Sequence, residues 1–239
     1  PGVMSTDPRI VPEAHTIDKL TYREVTELAY FGAKVLHPKT IRPVSELGMP
    51  IRVKDTFHPD HPGTLIVPSD PDSTHPLKAV TVIRNVAAFT LEGKGMQGVP
   101  GVAGRTFDAV ARAGASILVI SQSSSEQSIF FVIPDRNAAQ VASAIEKEFS
   151  REMARQDIDT VMYNSHYTIV TVVGSGMRDT PGVAGRLFSA LGQHQINVVA
   201  IAMGSSDCSL SLAVASSQAD DAIRAIHELA IRAAQPVAQ

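Results

Sequence analysis

The same succession of strand-like and helix-like patterns of apolar residues occurs twice along this chain. In the first occurrence, a β-prone apolar run at Val86–Leu91 is ended by glycines, and apolar residues at helical spacing follow from Ala103. Ser116–Ser121 and Ser128–Ile133 are short apolar runs of strand length, and a second helical face begins after Asn137, which can cap that helix. The pattern therefore predicts strand, helix, strand, strand, helix.

The second occurrence aligns with the first without a gap. Pro100–Arg105 and Pro181–Arg186 both read PGVAGR, and the same offset of 81 residues brings the flanking residues into register. Six identical residues inside a longer match indicate an internal duplication. The elements predicted for the second copy are the strands Thr168–Val173, Asn197–Ala202 and Ser209–Val214 and the helices Gly182–Gly192 and Ala219–Leu229.

The order of elements in each copy is typical of a ferredoxin-like fold of the α/β (α+β) class. Glycines lie between the first strand and the first helix of each copy, where they let backbone amides approach a bound molecule closely. A helix N-terminus favours a carboxylate, so a small amino acid suits this position. A duplicated structural domain that binds no ligand is the alternative.

Specific motifs precede and accompany the repeat. Thr6–Pro12 reads TDPRIVP and Glu27–Pro38 reads ELAYFGAKVLHP. With GKGM and PGVAGR, these motifs resemble those of aspartate kinases, and the two copies resemble ACT domains, the βαββαβ modules that bind amino acids in biosynthetic enzymes. The resemblance implies that residues 1–75 are the C-terminal remnant of an amino-acid kinase α/β domain with a linker. It implies a first ACT domain at residues 76–160 and a second at 161–239.

Local patterns predict the secondary structure of residues 1–75. Thr21–Glu24 has the form of a capping box at the start of a helix. Pro38 and Pro43 are expected to limit the next helix, and Pro50–Phe57 is expected to be a strand. The proline-rich stretch Pro59–Pro76 predicts a linker, which places a boundary near residue 75.

The resemblance also implies a nucleotide site in a parent enzyme. Met4, Arg9, Lys34 and Val35 stand at positions that contact ATP in the family, although many relatives have Tyr in place of Met4. The phosphate-binding segment that opens the family's kinase fold does not occur in this sequence, so we expect an inactive fragment without catalytic residues. The parent would use ATP and Mg²⁺ to convert L-aspartate to 4-phospho-L-aspartate in lysine, threonine and methionine biosynthesis.

Family members hold their effector in the glycine turn and against the start of the second strand. The resemblance places the first module's effector site at Met96, Val99, Gly101, Val102, Ala103, Ile117 and Gln122, and the second's at Met177, Val183, Val198 and Met203. Lysine-sensing relatives carry a carboxylate where this chain has Leu118, and threonine-sensing relatives carry the Gln found at position 122. We therefore expect threonine first and lysine second as effector. Since Met203 replaces the Gln in the second copy, one competent site is expected.

Composition and charge argue against several other classes of protein. The net charge is −3 and no cluster of Lys and Arg occurs, which argues against a nucleic-acid partner. No apolar run reaches the about 18 residues of a membrane span. The single cysteine, Cys208, fits a reducing compartment, so a cytoplasmic location is expected. His58, His61 and His75 lack the spacing of metal ligands.

Two forms of assembly are consistent with the resemblance. The first is a homodimer formed through the ACT modules of a feedback-regulated aspartate kinase. The alternative is a free-standing ACT regulatory subunit that binds a separate catalytic chain. The kinase-like motifs in residues 1–66 favour the first form, since a free sensor does not require them.

Overall fold

The computed structural model describes residues 2–33, 36–71, 76–122, 127–177, 180–203 and 208–234. They form two compact units. Unit 1 contains the residues up to Ile83, Val170–Val199 and those from Met203 onward, whereas unit 2 contains Arg84–Ile169 and Ala200–Ala202. Each unit is therefore built from separate stretches of the chain.

The N-terminal part of unit 1 is a small mixed sheet with two helices. Its elements are β1 Lys19–Thr21, α1 Tyr22–Tyr30, α2 Pro38–Glu46, β2 Ile51–Val53 and β3 Thr64–Val67. Strand β3 is central, parallel to β1 and antiparallel to β2. Apolar residues of the sheet and of α1 form a buried cluster around Leu20, Val25 and Ile66, which fixes this part of the fold.

Three expectations for this part need correction. Pro43 lies inside α2 and does not limit it, although Pro38 stands in its first turn as predicted. The strand expected over Pro50–Phe57 is confined to β2. The predicted linker contains β3, because the alternating burial of TLIV lets it serve as the central strand of the sheet.

The two duplicated modules each contain the predicted order of strands and helices. The first has β4 Ala79–Glu92, α3 Val102–Arg112, β5 Val119–Gln122, β6 Ser128–Pro134, α4 Ala138–Glu148 and α5 Ser150–Ala154. The second has β7 Thr160–Val173, α6 Val183–Gln193, β8 Val198–Met203, β9 Ser209–Ala215 and α7 Ala219–Ala234. The βαββαβ fold is therefore confirmed, but Asn137 makes no side-chain capping bond to α4.

The strands β4 and β7 are longer than predicted because both units use them. The strands of the two modules have the order β5-β6-β4-β7-β9-β8 in one sheet. Unit 2 uses the later residues of β4 and the earlier residues of β7, and unit 1 uses the rest. Strands β4 and β7, one from each sequence repeat, are therefore neighbours at the centre of one six-stranded sheet.

The core of unit 2 lies between its sheet and its helices. Phe89 and Phe131 are fully buried and stack with their ring centroids 5.1 Å apart, and Phe107 of α3 meets Phe131 edge-on. Aromatic pairs of this kind stabilise a core beyond the area that they bury. They hold α3 against the sheet, and thereby fix the glycine turn that precedes α3.

Candidate functional site

A cavity of about 500 Å³ opens in the first module beside the start of α3. It is lined by residues of the glycine turn, of the first turn of α3 and of β5 and β6, namely Met96, Gly98, Val99, Pro100, Gly101, Val102, Ala103, Gln122 and Ile129. Six of the seven effector residues predicted for this module are among them. The cavity therefore lies where the resemblance placed the effector.

The backbone at this cavity suits a carboxylate. Gly101 is the residue before α3 and has φ +90°, a conformation that favours glycine, and it brings no capping side chain to the helix. The first amides of α3 thus have no capping side chain as partner. Together with the positive end of the helix dipole, such amides favour a bound anion.

The cavity wall is mostly apolar. Met96 and Val102 are buried, whereas Val99 is 49% exposed at its edge. Gln122 ends β5 opposite Ile129 in the register with β6, and it brings the one polar side chain among the described residues that line the cavity. Its amide can both donate and accept a hydrogen bond, so Gln122 is the group that can recognise a polar ligand side chain.

Ile117 does not line the cavity. It is partly buried and packs against the apolar core of unit 2. Its neighbour Leu118 donates its backbone N–H to Val132 O at 2.8 Å and likewise stays outside the cavity lining. Ile117 thus supports the strand that leads to Gln122.

Gly93 and Gly95 were expected to free backbone amides for a ligand, but the structure gives them a different role. A Cβ atom on Gly93 would lie 2.3 Å from Asp157 O, and one on Gly95 would lie 2.5 Å from Asp157 Cβ. Gly95 N–H donates to Asp157 O at 2.9 Å. These glycines therefore allow the segment before β7 to pack on the turn, whereas Gly98 and Gly101 face open space.

The four effector residues predicted in the second module have different surroundings. Met177 and Val183 are buried in the apolar core of unit 1, and Val198 packs against that core. Met203 is 52% exposed on β8. Gly182 repeats the left-handed conformation of Gly101, with φ +81°.

Of the residues predicted to contact ATP, Lys34 and Val35 lie outside the described residues. Arg9 is exposed, and its guanidinium is 2.6 Å from the Asp7 carboxylate, which raises the pKa of Arg9. Met4 pairs with Thr16 in an isolated bridge, and the Thr16 hydroxyl donates to its sulfur at 3.7 Å.

Within the described parts of the chain, no group of three acidic, His or Cys side chains could hold a metal ion. The described residues therefore offer no ligand group for the Mg²⁺ expected in a parent enzyme. None of the described helices combines the length and the apolar character that a membrane span requires.

A buried polar cluster next to the TDPR motif was not predicted. Ser5 Oγ lies 2.8 Å from His227 Nε2 of α7 and accepts the backbone N–H of His15 at 3.1 Å. Ser5 and His227 are each 1% exposed, and burial together with the nearby His15 lowers the pKa of His227. The two residues are 222 positions apart, so no local pattern could have signalled this contact.

Comparisons with known proteins agree with this picture. Residues 89–149 and 170–229 match the family model of the ACT domain, and residues 1–55 match that of the amino acid kinase family. A bifunctional aspartokinase/homoserine dehydrogenase of Haemophilus influenzae is 41% identical over 95% of the chain. The chain spans 28% of the length of that relative.

Solved structures of aspartate kinases have the same fold. The aspartate kinase of Clostridium acetobutylicum superposes with a TM-score of 0.83 at 28% identity, over 95% of this chain and 52% of that one. Aspartokinase III of Escherichia coli, solved with lysine and aspartate, gives 0.78 at 26% identity over 96% and 49%. The chain thus spans about half the length of these structures.

Proposed function

Because the chain belongs to the ACT domain family, we propose that it is the amino-acid-sensing region of an aspartate kinase and that threonine binds in the cavity of its first module. The proposal rests on one observation. Gln122 and the start of α3, which has no capping side chain, line the same cavity. The ligand's carboxylate would bind the amides that follow Gly101, and its hydroxyl would bind the Gln122 amide.

The character of the cavity wall favours threonine over lysine. Its described lining residues include no charged side chain, so a lysine ammonium would lose water without gaining a carboxylate partner. A short side chain with one hydroxyl and one methyl group can use Gln122 and the apolar wall together. Escherichia coli aspartokinase III, which was solved with lysine, shows that a protein of this fold can accept the longer amino acid, and lysine is our second candidate.

In the whole protein, this region would control the transfer of the γ-phosphoryl group of ATP to the β-carboxylate of aspartate. Threonine would favour one of two arrangements of the enzyme and so change its activity. Arg9, Met4, Lys34 and Val35 would contribute to the nucleotide site there, with Mg²⁺ held by residues outside this chain. We also propose a cytoplasmic homodimer that pairs through the ACT modules.

The test is calorimetric titration of the chain with threonine and with lysine. We expect threonine to bind with a stoichiometry near one and lysine to bind more weakly. Gln122→Ala and Gln122→Met remove the amide, and Gln122→Met places there the residue that the second module has at the same position. Loss of one neutral hydrogen bond should weaken threonine about 2- to 12-fold, and more if the hydroxyl stays buried and unpaired.

The matched control is Gln193→Ala, which removes an exposed amide at the end of α6. Its threonine affinity should equal that of the unmodified chain. Unchanged affinity in both Gln122 variants would rule out this cavity as the threonine site. Tighter binding of lysine than of threonine would rule out threonine as the preferred ligand while leaving the sensor function in place.

A further inference from the structure

The carboxylate of Glu24 is the most completely enclosed ionisable group in the described part of unit 1. Glu24 lies in the first turn of α1 and is 0% exposed. Its Oε2 atom accepts the backbone N–H of Thr21 at 2.7 Å, which completes the predicted capping box, and lies 3.1 Å from Lys78 Nζ. A buried carboxylate is stable only when such partners replace its water.

The other carboxylate oxygen of Glu24 binds a residue of the second module. Oε1 accepts the backbone N–H of Ser175 at 2.6 Å and its hydroxyl at 2.7 Å. Ser175 belongs to the glycine turn of that module, directly after β7. The two short bonds to a charged acceptor are of the strong kind, and they involve a turn that the sequence marks as a ligand position.

The surroundings of the turn are shaped to admit this carboxylate. A Cβ atom on Gly174 would lie 2.2 Å from Pro76 O, so the glycine lets the chain before β4 pass directly over the turn. This passage brings in Lys78, whose ammonium also contacts Asp70 Oδ2 at 3.2 Å and Lys19 O at 3.3 Å. The positive charge beside Glu24 is therefore itself held on several sides.

We propose that the glycine turn of the second module is a carboxylate site whose ligand is the chain's own Glu24. The module then serves as a fixed joint to α1 and does not sense a free amino acid at this turn. In the first module the equivalent residue of the turn is Lys94, which is exposed. The duplication thus produced two equivalent turns, and in the second module the side chain of Glu24 occupies this turn.

The joint also positions the segment that follows α1. The helix is held at its start by Ser175 through Glu24, and just after its end the Thr81 hydroxyl of β4 donates to Phe31 O at 3.0 Å. A Cβ atom on Gly32 would lie 2.8 Å from Val82 O, so the chain passes close to β4 here too. Both ends of α1 are therefore tied to other parts of unit 1, its start to the turn after β7 and its end to β4.

Chemical rescue tests this proposal on the full 239-residue chain. Glu24→Ala should lower the unfolding temperature by roughly 6 to 20 °C, since it leaves the amides of Thr21 and Ser175 without their acceptor and removes one of the two carboxylates beside Lys78. Acetate or formate should restore part of this loss, whereas chloride at equal ionic strength and neutral acetamide should not. Glu146→Ala removes an exposed carboxylate of α4 and should show no acetate-dependent gain.

A second measurement decides the matter if Glu24→Ala does not fold. In Glu24→Gln the amide proton of Ser175 should shift upfield in the NMR spectrum, because a neutral acceptor forms a weaker bond than a charged one. Glu146→Gln should leave that resonance in place. An unmoved Ser175 resonance in Glu24→Gln, or a folded Glu24→Ala chain that acetate stabilises no more than the unmodified chain, would overturn the proposal.

Discussion

At the scale of single residues, the glycines of the first module's turn separate into two kinds. Gly93 has an extended backbone, and its missing side chain makes room for Asp157 O. Gly98 has φ +70° and faces open space, so its missing side chain serves backbone conformation alone. The sequence shows only a glycine-rich turn, and the two roles become distinct when the segment before β7 is seen to pack on it.

Two alanine substitutions should therefore behave differently. Gly98→Ala should cost about 1 kcal/mol through its left-handed conformation and leave its surroundings in place. Gly93→Ala should cost about 1–3 kcal/mol, because residues 157 and 158 must move away. Urea denaturation gives the two losses, and hydrogen exchange of the peptide over residues 155–160 shows the displacement. Faster exchange there in Gly98→Ala but not in Gly93→Ala would contradict this assignment.

The candidate site could be predicted at this scale to a large extent. Met96, Val99, Gly101, Val102 and Ala103 are close in sequence, so one turn brings them together with Gln122 from β5. Ile117 does not line this cavity, because it lies before β5 and packs against the apolar core of unit 2. Ser5 with His227, and Glu24 with Ser175, join distant parts of the chain, and no spacing rule reports such contacts.

At the scale of secondary-structure elements, both copies have an arginine at the same position of their first helix, but only the first copy has the carboxylates that contact it. Arg105 of α3 contacts Glu148 at 2.9 Å and Glu152 at 2.5 Å, and it lies over the Phe149 ring at 4.5 Å. The residue equivalent to Glu148 in the second copy is Leu229, so Arg186 of α6 has no carboxylate there. The first module thus ties α3 to α4 and α5 by charge.

Arg105→Ala should therefore destabilise the chain more than the matched change Arg186→Ala. At pH 7 we expect a difference of about 1 kcal/mol, since exposed networks contribute modestly. Arg105 lowers the pKa of Glu148 and of Glu152 below the ordinary value of 4.5, so this stabilisation is complete above that pH and is lost as pH falls below it. Urea denaturation at pH 7 and near pH 3 measures both; a difference that grows in acid would contradict the mechanism.

The helices and strands themselves were largely predictable, since their apolar periodicity follows from burial on one face. The lengths of β4 and β7 were not. Residues 79–85 of β4 read AVTVIRN and were not part of the predicted strand, because the strand that pairs with them comes from the other repeat. Pairing between repeats cannot be read from the pattern of one of them.

At the scale of the whole molecule, the two sequence repeats and the two structural units do not coincide. Strands β4 and β7 each supply residues to both units. A unit cannot lose its sheet without disturbing a strand that the other unit also uses. The consecutive boundaries expected from the sequence describe the duplication, whereas the packing follows the shared strands.

We accordingly expect the chain to unfold in one cooperative transition. Scanning calorimetry should give equal calorimetric and van't Hoff enthalpies, and circular dichroism and tyrosine fluorescence should report coincident midpoints. Threonine at a large excess over its dissociation constant should raise that single midpoint, because it binds the folded chain only. Two separated transitions, of which threonine moves one, would show that the units unfold independently.

The contact between Ser5 and His227 has a consequence for synthesis on the ribosome. The chain emerges N-terminus first, and most of unit 2 is complete when Ile169 has been made. Ser5 leaves the exit tunnel long before its partner on α7, and most of unit 2 is made in between. The contact between Ser5 and α7 can therefore form only after most of unit 2 has been synthesised.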